Sequence, residues 1–556
     1  MAAKKAEYDV IVVGSGAGGS IAVKELTEKG MKVLLLEAGR PLNEQDFVPP
    51  SVPGKYALGP ALIPRLKAIL SGQHIQSLRS VYAEQSNKFL TNDRENPYTM
   101  SFSGRFLWIR GRVLGGRLNT YGRVCMRFSD YDFKGKSWDG QGADWPIEYK
   151  DLVKYYDKVE KFIGIIGDKD GLDVIPDGVP MQKSFLTEAE LGYKKYVEKN
   201  FKRPVISWRY AQPNLERTPR GIVAAQKTGN LTLKTDAIVS KILMNATGNL
   251  AEGVEYIDRI TKEKHVAKAK SIMLTASGIE SVRILWNSKD EQHPTGLGNS
   301  KDQLGRYFMD QVPSVTMFTD GRYQGFHEDQ ETPFDPYYGR IGGFFVPRFT
   351  NVGKNKTTEH YRGFSFQGLI QRTKTDNPTA PAGGGMMGFG EMLPYADNRI
   401  TISPRFKDKW GIPVPHLHCK PGKNEKAMAK AQLRAAREMH EAMNNEILFT
   451  GSITGLDGGK QMAHLNWFDR LVFRIGFPMS VSIGASIHEC GGARMGNSPD
   501  NSVTNKHGQL WEAPNVVITD GSAFVSGGSV GLVLTIMALS ARGAEFVAKT
   551  LNGKGF

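Results

Sequence analysis

Residues 8–13, Tyr-Asp-Val-Ile-Val-Val, make an apolar run of the length of a buried parallel strand. Glycines follow, the pattern turns helical over 20–29, and a second apolar run at 32–36 completes a strand–helix–strand unit. Residues 41–100 mix prolines with polar stretches and are expected to cross the surface. Asp144-Trp145-Pro146 reads as a turn ahead of a helix over 149–162. Residues 163–225, with Pro176, Pro180, Pro204 and Pro213, are expected to be rich in loops. Strands are predicted at 231–233, 237–244, 249–256, 265–267 and 272–275, with a hairpin turn at Asn245-Ala-Thr-Gly248. Residues 310–420 suggest an antiparallel sheet with dispersed aromatics and a turn at Ala382-Gly383-Gly384-Gly385. A helical pattern covers 423–447, and the chain ends in a strand at 516–519, a glycine loop and a long helix. No internal repeat is visible.

Strand–helix alternation around a central antiparallel stretch predicts an α/β protein. At about 150 residues per domain, 556 residues allow three to four units, or two interwoven ones. The composition, 40% apolar and 23% charged, is that of a folded globule. Glycine is frequent, 62 residues, and clusters in turns where backbone must approach closely. The net charge of +15 would attract anions, yet there is no zinc-finger spacing, aromatic RNA-binding signature or arginine-rich tail. The surplus is therefore read as a solvated surface, or as suited to an acidic partner. Cys125, Cys419 and Cys490 are too far apart to outline a disulfide framework, a zinc site or an iron–sulfur cluster, so no metal is expected. No apolar stretch reaches 18 residues, which argues against a transmembrane segment. Residues 1–8 run straight into a strand and leave no room for a signal peptide. A cytoplasmic location is expected, or a periplasmic one if a partner subunit or a removed signal carries the chain.

Gly14-Ser15-Gly16-Ala17-Gly18-Gly19 fits GxGxxG between a strand and a helix, and Glu37 ends the next strand. The glycines admit a pyrophosphate, the helix N-terminus offers amide donors, and the carboxylate suits ribose hydroxyls while disfavouring a 2′-phosphate. Three further segments point to a larger ligand that meets turns along the whole chain: Arg112-Val-Leu-Gly115-Gly116-Arg117-Leu-Asn119, Thr275-Ala276-Ser277-Gly278-Ile-Glu280-Ser281, and Thr519-Asp520-Gly521-Ser522. These four segments, in this order, together with His488-Glu-Cys-Gly-Gly492-Ala-Arg494-Met495-Gly496 and Leu534-Thr535-Ile-Met-Ala-Leu539, resemble the glucose–methanol–choline (GMC) flavin oxidoreductases over nearly the full length. The stretches at 115–123, 127–133 and 144–147 are similar to the bacterial branch that oxidises sugars, such as glycoside 3-dehydrogenases and pyranose-oxidising enzymes.

The resemblance implies a discontinuous, Rossmann-like FAD-binding domain (1–130, 215–300 and 485–556) beneath a substrate domain with an antiparallel sheet (131–214 and 301–484). It implies FAD held by Gly14, Gly16, Ala17, Gly18, Gly19, Glu37, Ala38, Arg112, Gly115, Gly116, Asn119, Thr120, Ala237, Ile238, Ala276, Ser277, Asp520, Gly521, Gly531 and Leu532. Asp520-Gly521 would meet its ribityl and pyrophosphate portion. The expected reaction takes a secondary sugar hydroxyl, with C3 of a glycoside among the positions, to a ketone. Hydride passes to flavin N5, and His488 accepts the proton as general base.

Two departures stand out. The position where relatives carry a second Asn or His is Gly531, and Thr120-Tyr121 stand where relatives carry His, Trp or Asn. The first admits three readings: His488 works alone or with His464, Gln311 or Ser529; the gap makes room for a bulky glycoside; or oxidation has been lost, leaving a non-redox or partner flavoprotein. The second implies noncovalent FAD. A non-sugar alcohol is the alternative substrate. Trp108, Trp138, Trp208, Tyr337, Tyr338, Phe344 and Phe345 are the aromatics that would stack on a sugar, with 337–345 favoured. Residues 205–225 hold no cysteine where some relatives carry an electron-transfer insert, so electrons would leave FAD directly to O₂, a quinone or a docked acidic carrier.

Overall fold

The computed structural model describes residues 6–48, 62–80, 82–327, 332–372, 375, 377–457, 466–553 and 555–556. The first strand, Tyr8–Val13, is the centre of a seven-stranded sheet. It lies parallel to Val33–Leu36 on one side and to Lys264–Leu274 on the other, with Val10 opposite both Val33 and Ser271. Leu231–Lys234 extends the sheet beyond Val33–Leu36. Val10, Ile11 and Val12 are fully buried, Val10 and Val12 in one apolar cluster with the helices and Ile11 in another on the opposite face, which is why the strand reads as a continuous apolar run. The helix Ala17–Thr27 packs against the terminal helix Val533–Asn552 and against Arg220–Lys227.

A second seven-stranded sheet runs in the order Gly455–Asp457, Glu446–Ser452, Gln311–Gln324, Pro381–Glu391, Phe364–Ile370, Phe344–Val346 and Ile206–Ser207. Its pairings are antiparallel, as the central patterning suggests. The helix Lys423–Glu441 packs on one face, where Gln432 accepts from Ser314 Oγ at 2.7 Å. A third, three-stranded sheet joins Arg399–Lys407, Pro413–His418 and Thr99–Met100.

Several elements differ from the expectations. The first helix begins at Ala17 rather than 20, since the glycine turn is itself its first turn. The stretch 163–225 holds two helices, Glu188–Phe201 and Arg220–Lys227. The former starts at a reciprocal cap between Thr187 and Glu190, stronger than the prolines around it. The strands expected at 265–267 and 272–275 are one, Lys264–Leu274; its lysines reach solvent on an edge while the backbone continues. The strand expected at 249–256 runs Ala251–Asp258. Gly383–Gly385 are not a turn but lie within Pro381–Glu391, where a Cβ on Gly384 would sit 2.4 Å from the Phe318 ring. Residues 41–100 do not merely cross the surface: Gln76, Phe89 and Asp93 are buried.

Candidate active site and cofactor cradle

The sequence-distant turns converge at the ends of the parallel strands. Gly14 has φ +95°, and a Cβ there would lie 2.7 Å from the carbonyl of Thr275. Thr275 Oγ1 donates to the carbonyls of Val13 and Gly14 at 2.8 and 2.9 Å, fastening the two strand ends together. Ser15 joins two more: its backbone and hydroxyl donate to Glu37 Oε2 at 3.0 and 2.5 Å, and its Oγ accepts from Gly115 N at 2.8 Å. Asp520 closes the set, accepting from Ser277 N at 3.1 Å and Ser281 Oγ at 2.5 Å.

No side chain caps the helix that begins at Ala17, and its first turn holds no acid. The first amides of a helix have no intrahelical partner and, with the dipole, favour an anion. A side chain at Gly16 or Gly116 would meet nothing within 4 Å, so both backbones face open space. Glu37 is buried and takes three hydrogen bonds, the third from Gly39 N at 2.7 Å, of about four that a carboxylate accepts. Ala237 N donates to Glu37 O at 2.9 Å, which sets Ala237 and Ile238 beside Glu37 and Ala38. Open amides, glycine backbone and a carboxylate with one place left are the donor set a dinucleotide needs, so these residues fit FAD.

Other members of the set make hydrogen bonds or apolar contacts within the protein. Arg112 is held by Glu280 at 3.2 Å and Asn96 at 2.5 Å. Burial would raise the Glu280 carboxyl, but Arg283, Arg112 and Arg110 hold it down to about 2. Asn119 Nδ2 donates to the carbonyls of Leu114 and Gly116 at 2.9 and 3.0 Å, so its side chain braces the turn. Thr120 Oγ1 donates back to Arg117 O at 3.4 Å. Asp520 also accepts from Ser522 N and Oγ at 2.9 and 2.6 Å, which makes four hydrogen bonds on its carboxylate. Asp520 therefore organises the turn, and contact with a ligand is left to backbone beside it. Ile238 packs in an apolar cluster with Ile257, Trp410 and Ile412, and Ala276 N is taken by Ser281 Oγ at 3.2 Å.

His488 sits where the two sheets meet. Its backbone N–H donates to Asp310 Oδ1 at 3.0 Å, and Gly484 N donates to Oδ2 at 2.7 Å. Asp310 is buried, which pushes its carboxyl up to about 7. The next residue, Gln311, begins an interior strand of the second sheet, and its Oε1 lies 2.6 Å from His488 Nδ1. Its amide nitrogen faces three carbonyls, Gly527, Gly528 and Val530, at 3.0, 2.9 and 2.8 Å. A nitrogen ringed by acceptors must be the NH₂, so Oε1 is the acceptor and Nδ1 carries the proton. Nε2 is then the basic nitrogen. It faces Gly531, where a Cβ would lie 3.7 Å away, and the Phe389 ring lies 5.4 Å from the imidazole. Burial and the nearby Arg117 push the imidazole down to about 3, so it stays neutral.

Of the helpers considered for His488, Gln311 is thus in contact, through Nδ1 rather than from the Gly531 side. Ser529 offers its carbonyl to Ser365 Oγ, and His464 lies outside the described residues. The aromatics expected to stack on a sugar are core: Trp108, Trp208, Tyr337, Phe344 and Phe345 are buried. Tyr338 donates to Asn119 O, and exposed Trp138 stacks on Tyr131 with ring centroids 4.7 Å apart. The aromatic at the imidazole is instead Phe389, which the sequence does not flag because the glycines before it obscure its strand. Leu532 begins the terminal helix, accepting from Ile536 N at 3.0 Å, and so fixes Gly531 in place.

Comparison with known proteins matches residues 8–312 and 394–540 to the GMC oxidoreductase family. The chain is 26% identical to 2-methyl-1,2-propanediol dehydrogenase of Mycolicibacterium austroafricanum, covering 98% of this chain and 96% of the relative. It is 24% identical to a C-glycoside 3-oxidase of Arthrobacter globiformis, over 57% of this chain and 53% of that one. Among solved structures, a point variant of the formate oxidase of Aspergillus oryzae superposes with a TM-score of 0.64 at 13% identity, covering 100% of both chains. The glycine cradle, the histidine at the sheet junction and the matched length agree: the chain belongs to the GMC oxidoreductase family, FAD-dependent enzymes, and is an oxidoreductase acting on CH–OH groups.

Proposed function

We propose that the protein oxidises a secondary hydroxyl of a sugar or glycoside to a ketone, C3 of a glycoside first among the positions, with His488 Nε2 as the base. The observation that carries this reading is the Gln311–His488 pair, which stores the ring proton on Nδ1 and leaves Nε2 bare beside the Gly531 gap. FAD, when bound, supplies the hydride acceptor. The chain's own task is the proton: a hydroxyl seated at Nε2 gives it up there, and the carbonyls that clamp Gln311 keep the imidazole from turning over. The missing side chain at Gly531 leaves space for a ring-sized alcohol. Anaerobic titration with a panel of glycosides and simple alcohols tests the reading. Bleaching of the flavin by glycosides is expected. Bleaching by simple alcohols alone would move the assignment to the second reading, a non-sugar alcohol, which the apolar wall of Phe389 favours.

Gln311 acts through His488, as a positioning residue. Gln311→Leu is expected to slow flavin reduction roughly ten- to a hundredfold with FAD content intact, a fraction of what a positioned base contributes. Gln311→Glu keeps an acceptor at Nδ1 and adds a charge, which raises the imidazole pKa and moves the acid limb of the rate profile to higher pH. Reduction rates and pH profiles unchanged in both variants would remove Gln311 from the proton path.

FAD is held without a covalent bond in this reading, since Thr120 and Tyr121 offer no histidine where relatives carry one. Acid precipitation is expected to release all the flavin into the supernatant; flavin retained in the pellet contradicts this.

A further inference from the structure

Two short helices away from the cradle carry exposed apolar faces. In Trp467–Ser480, the residues Trp467, Leu471, Ile475 and Met479 are 76, 47, 66 and 47% exposed. A spacing of four is close to one helical turn, so these side chains form one ridge along the helix. In Leu62–Leu70, Ile63, Leu66 and Leu70 are 69, 55 and 68% exposed. Both helices pack on the same short turn, Gln76–Leu78, which places the two ridges in one region of the surface. No other helix among the described residues exposes more than one large apolar side chain. Isolated apolar residues on a surface need no explanation, but two apolar ridges on helices that share one turn do.

The charge around them selects the occupant. In sequence the two helices carry four basic residues against one acid; Arg65 is turned inward onto the carbonyls of Ser77 and Arg79 and Arg470 is half-buried, which leaves Lys67 and Arg474 exposed beside the ridges, in a chain of net charge +15. A helix with one aliphatic face, a tryptophan and basic residues is built to lie in the headgroup boundary of a bilayer, and its cations are drawn to anionic lipid. No described helix is long and apolar enough to cross a membrane, so attachment would be to one surface. The face also adjoins the catalytic segment: Ile75 and Leu78 pack in the same apolar cluster as Ile487, the residue before His488. We propose that these two helices dock the protein on an anionic lipid surface.

The test is co-sedimentation of the full, flavin-loaded chain with vesicles of phosphatidylcholine, alone or mixed with phosphatidylglycerol. Partition into the phosphatidylglycerol vesicles is expected, weakening as salt shortens the Debye length. The double variants Leu471→Ser/Ile475→Ser and Leu66→Ser/Leu70→Ser should each lower partition about tenfold or more, as buried apolar area is lost. Turnover of a water-soluble alcohol should be unchanged in both, which reports that the fold is intact. The proposal falls if neither vesicle binds the protein, or if both double variants bind as the parent does, since charge alone would then suffice. It falls equally if vesicles are ignored while the parent self-associates and the Leu471→Ser/Ile475→Ser variant stays monomeric, because the face would then join two copies of the chain.

Discussion

His488→Ala is expected to slow flavin reduction by the alcohol about 10²–10⁴-fold while FAD stays bound, the range a positioned base supplies. The two effects separate because the histidine touches neither Glu37 nor the amides at Gly16–Gly19. Its own partners are Asp310, Gln311 and the gap at Gly531. Stopped-flow reduction and the flavin-to-protein ratio read the two quantities independently. An undiminished rate would strip His488 of the base role. The pH profile sharpens the test. With the imidazole held down to about 3, protonation of His488 itself should contribute no fall in rate near pH 6.5, where an ordinary histidine would. The group poised near neutrality is Asp310, pushed up to about 7 by burial. Below that pH it gains a proton and loses part of its capacity to accept from the His488 and Gly484 backbones. An acid limb near 7 should therefore vanish in Asp310→Asn; a limb that survives there would mean that His488 titrates at its usual value.

Gly19→Ala should yield no flavin-loaded protein and little folded protein of any kind. The added Cβ would stand 1.8 Å from the carbonyl of Gly14 and 2.8 Å from Thr275 Oγ1, both inside the junction of two strands. Relief requires moving the backbone of the first strand end, at a cost of the order of 5 kcal/mol, comparable with the whole stability of a domain. Gly16→Ala is the informative contrast. Its Cβ meets no protein atom within 4 Å, so the chain should fold and melt normally while its FAD affinity drops, because the methyl enters the space a pyrophosphate would fill. Soluble yield, melting temperature and flavin content of the two variants check this. Equal losses of folding in both would show that the open space at Gly16 is not a ligand site.

The parts of this structure that read well from sequence are those where one local rule governs. The first strand, its glycine turn and Glu37 obey a single βαβ logic, and the hairpin at Asn245–Gly248 closes as its turn residues require, with Gly248 N donating to Asn245 O at 2.9 Å. Where a residue's choice is made by a distant neighbour, local reading fails. Gly368 and Gly384 resemble turn residues but are glycines because the rings of Phe344 and Phe318 lie across them. Gln311 stands among the helpers named from sequence, but its place at Nδ1 rather than on the Gly531 side is set by a partner 177 residues away. Asp520 and Asn119 lie at the cradle, yet their side chains are turned to the backbone of neighbouring turns, which no spacing rule discloses. The helix Glu188–Phe201 is legible in principle, from the Thr187-Glu-Ala-Glu190 capping pattern, but the prolines around it hide that signal.

The long strand Lys264–Leu274 pairs over its first half with Ala251–Asp258 and over its second with both Tyr8–Val13 and Val516–Ile518. This has a consequence for the order of events during synthesis. The turn at Gly14 appears first from the ribosome, but its neighbour at Thr275 arrives some 260 residues later, and the Asp520 that clamps Ser277 only near the end. Loop-closure entropy must be met for each of these pairings before any returns a contact, which makes folding slow and largely post-translational. A chain released short of the terminal helix has every glycine of the motif and no assembled cradle. The N-terminal glycine signature alone therefore does not make the site: flavin meets the full cradle only once Thr275 and Asp520 are in place.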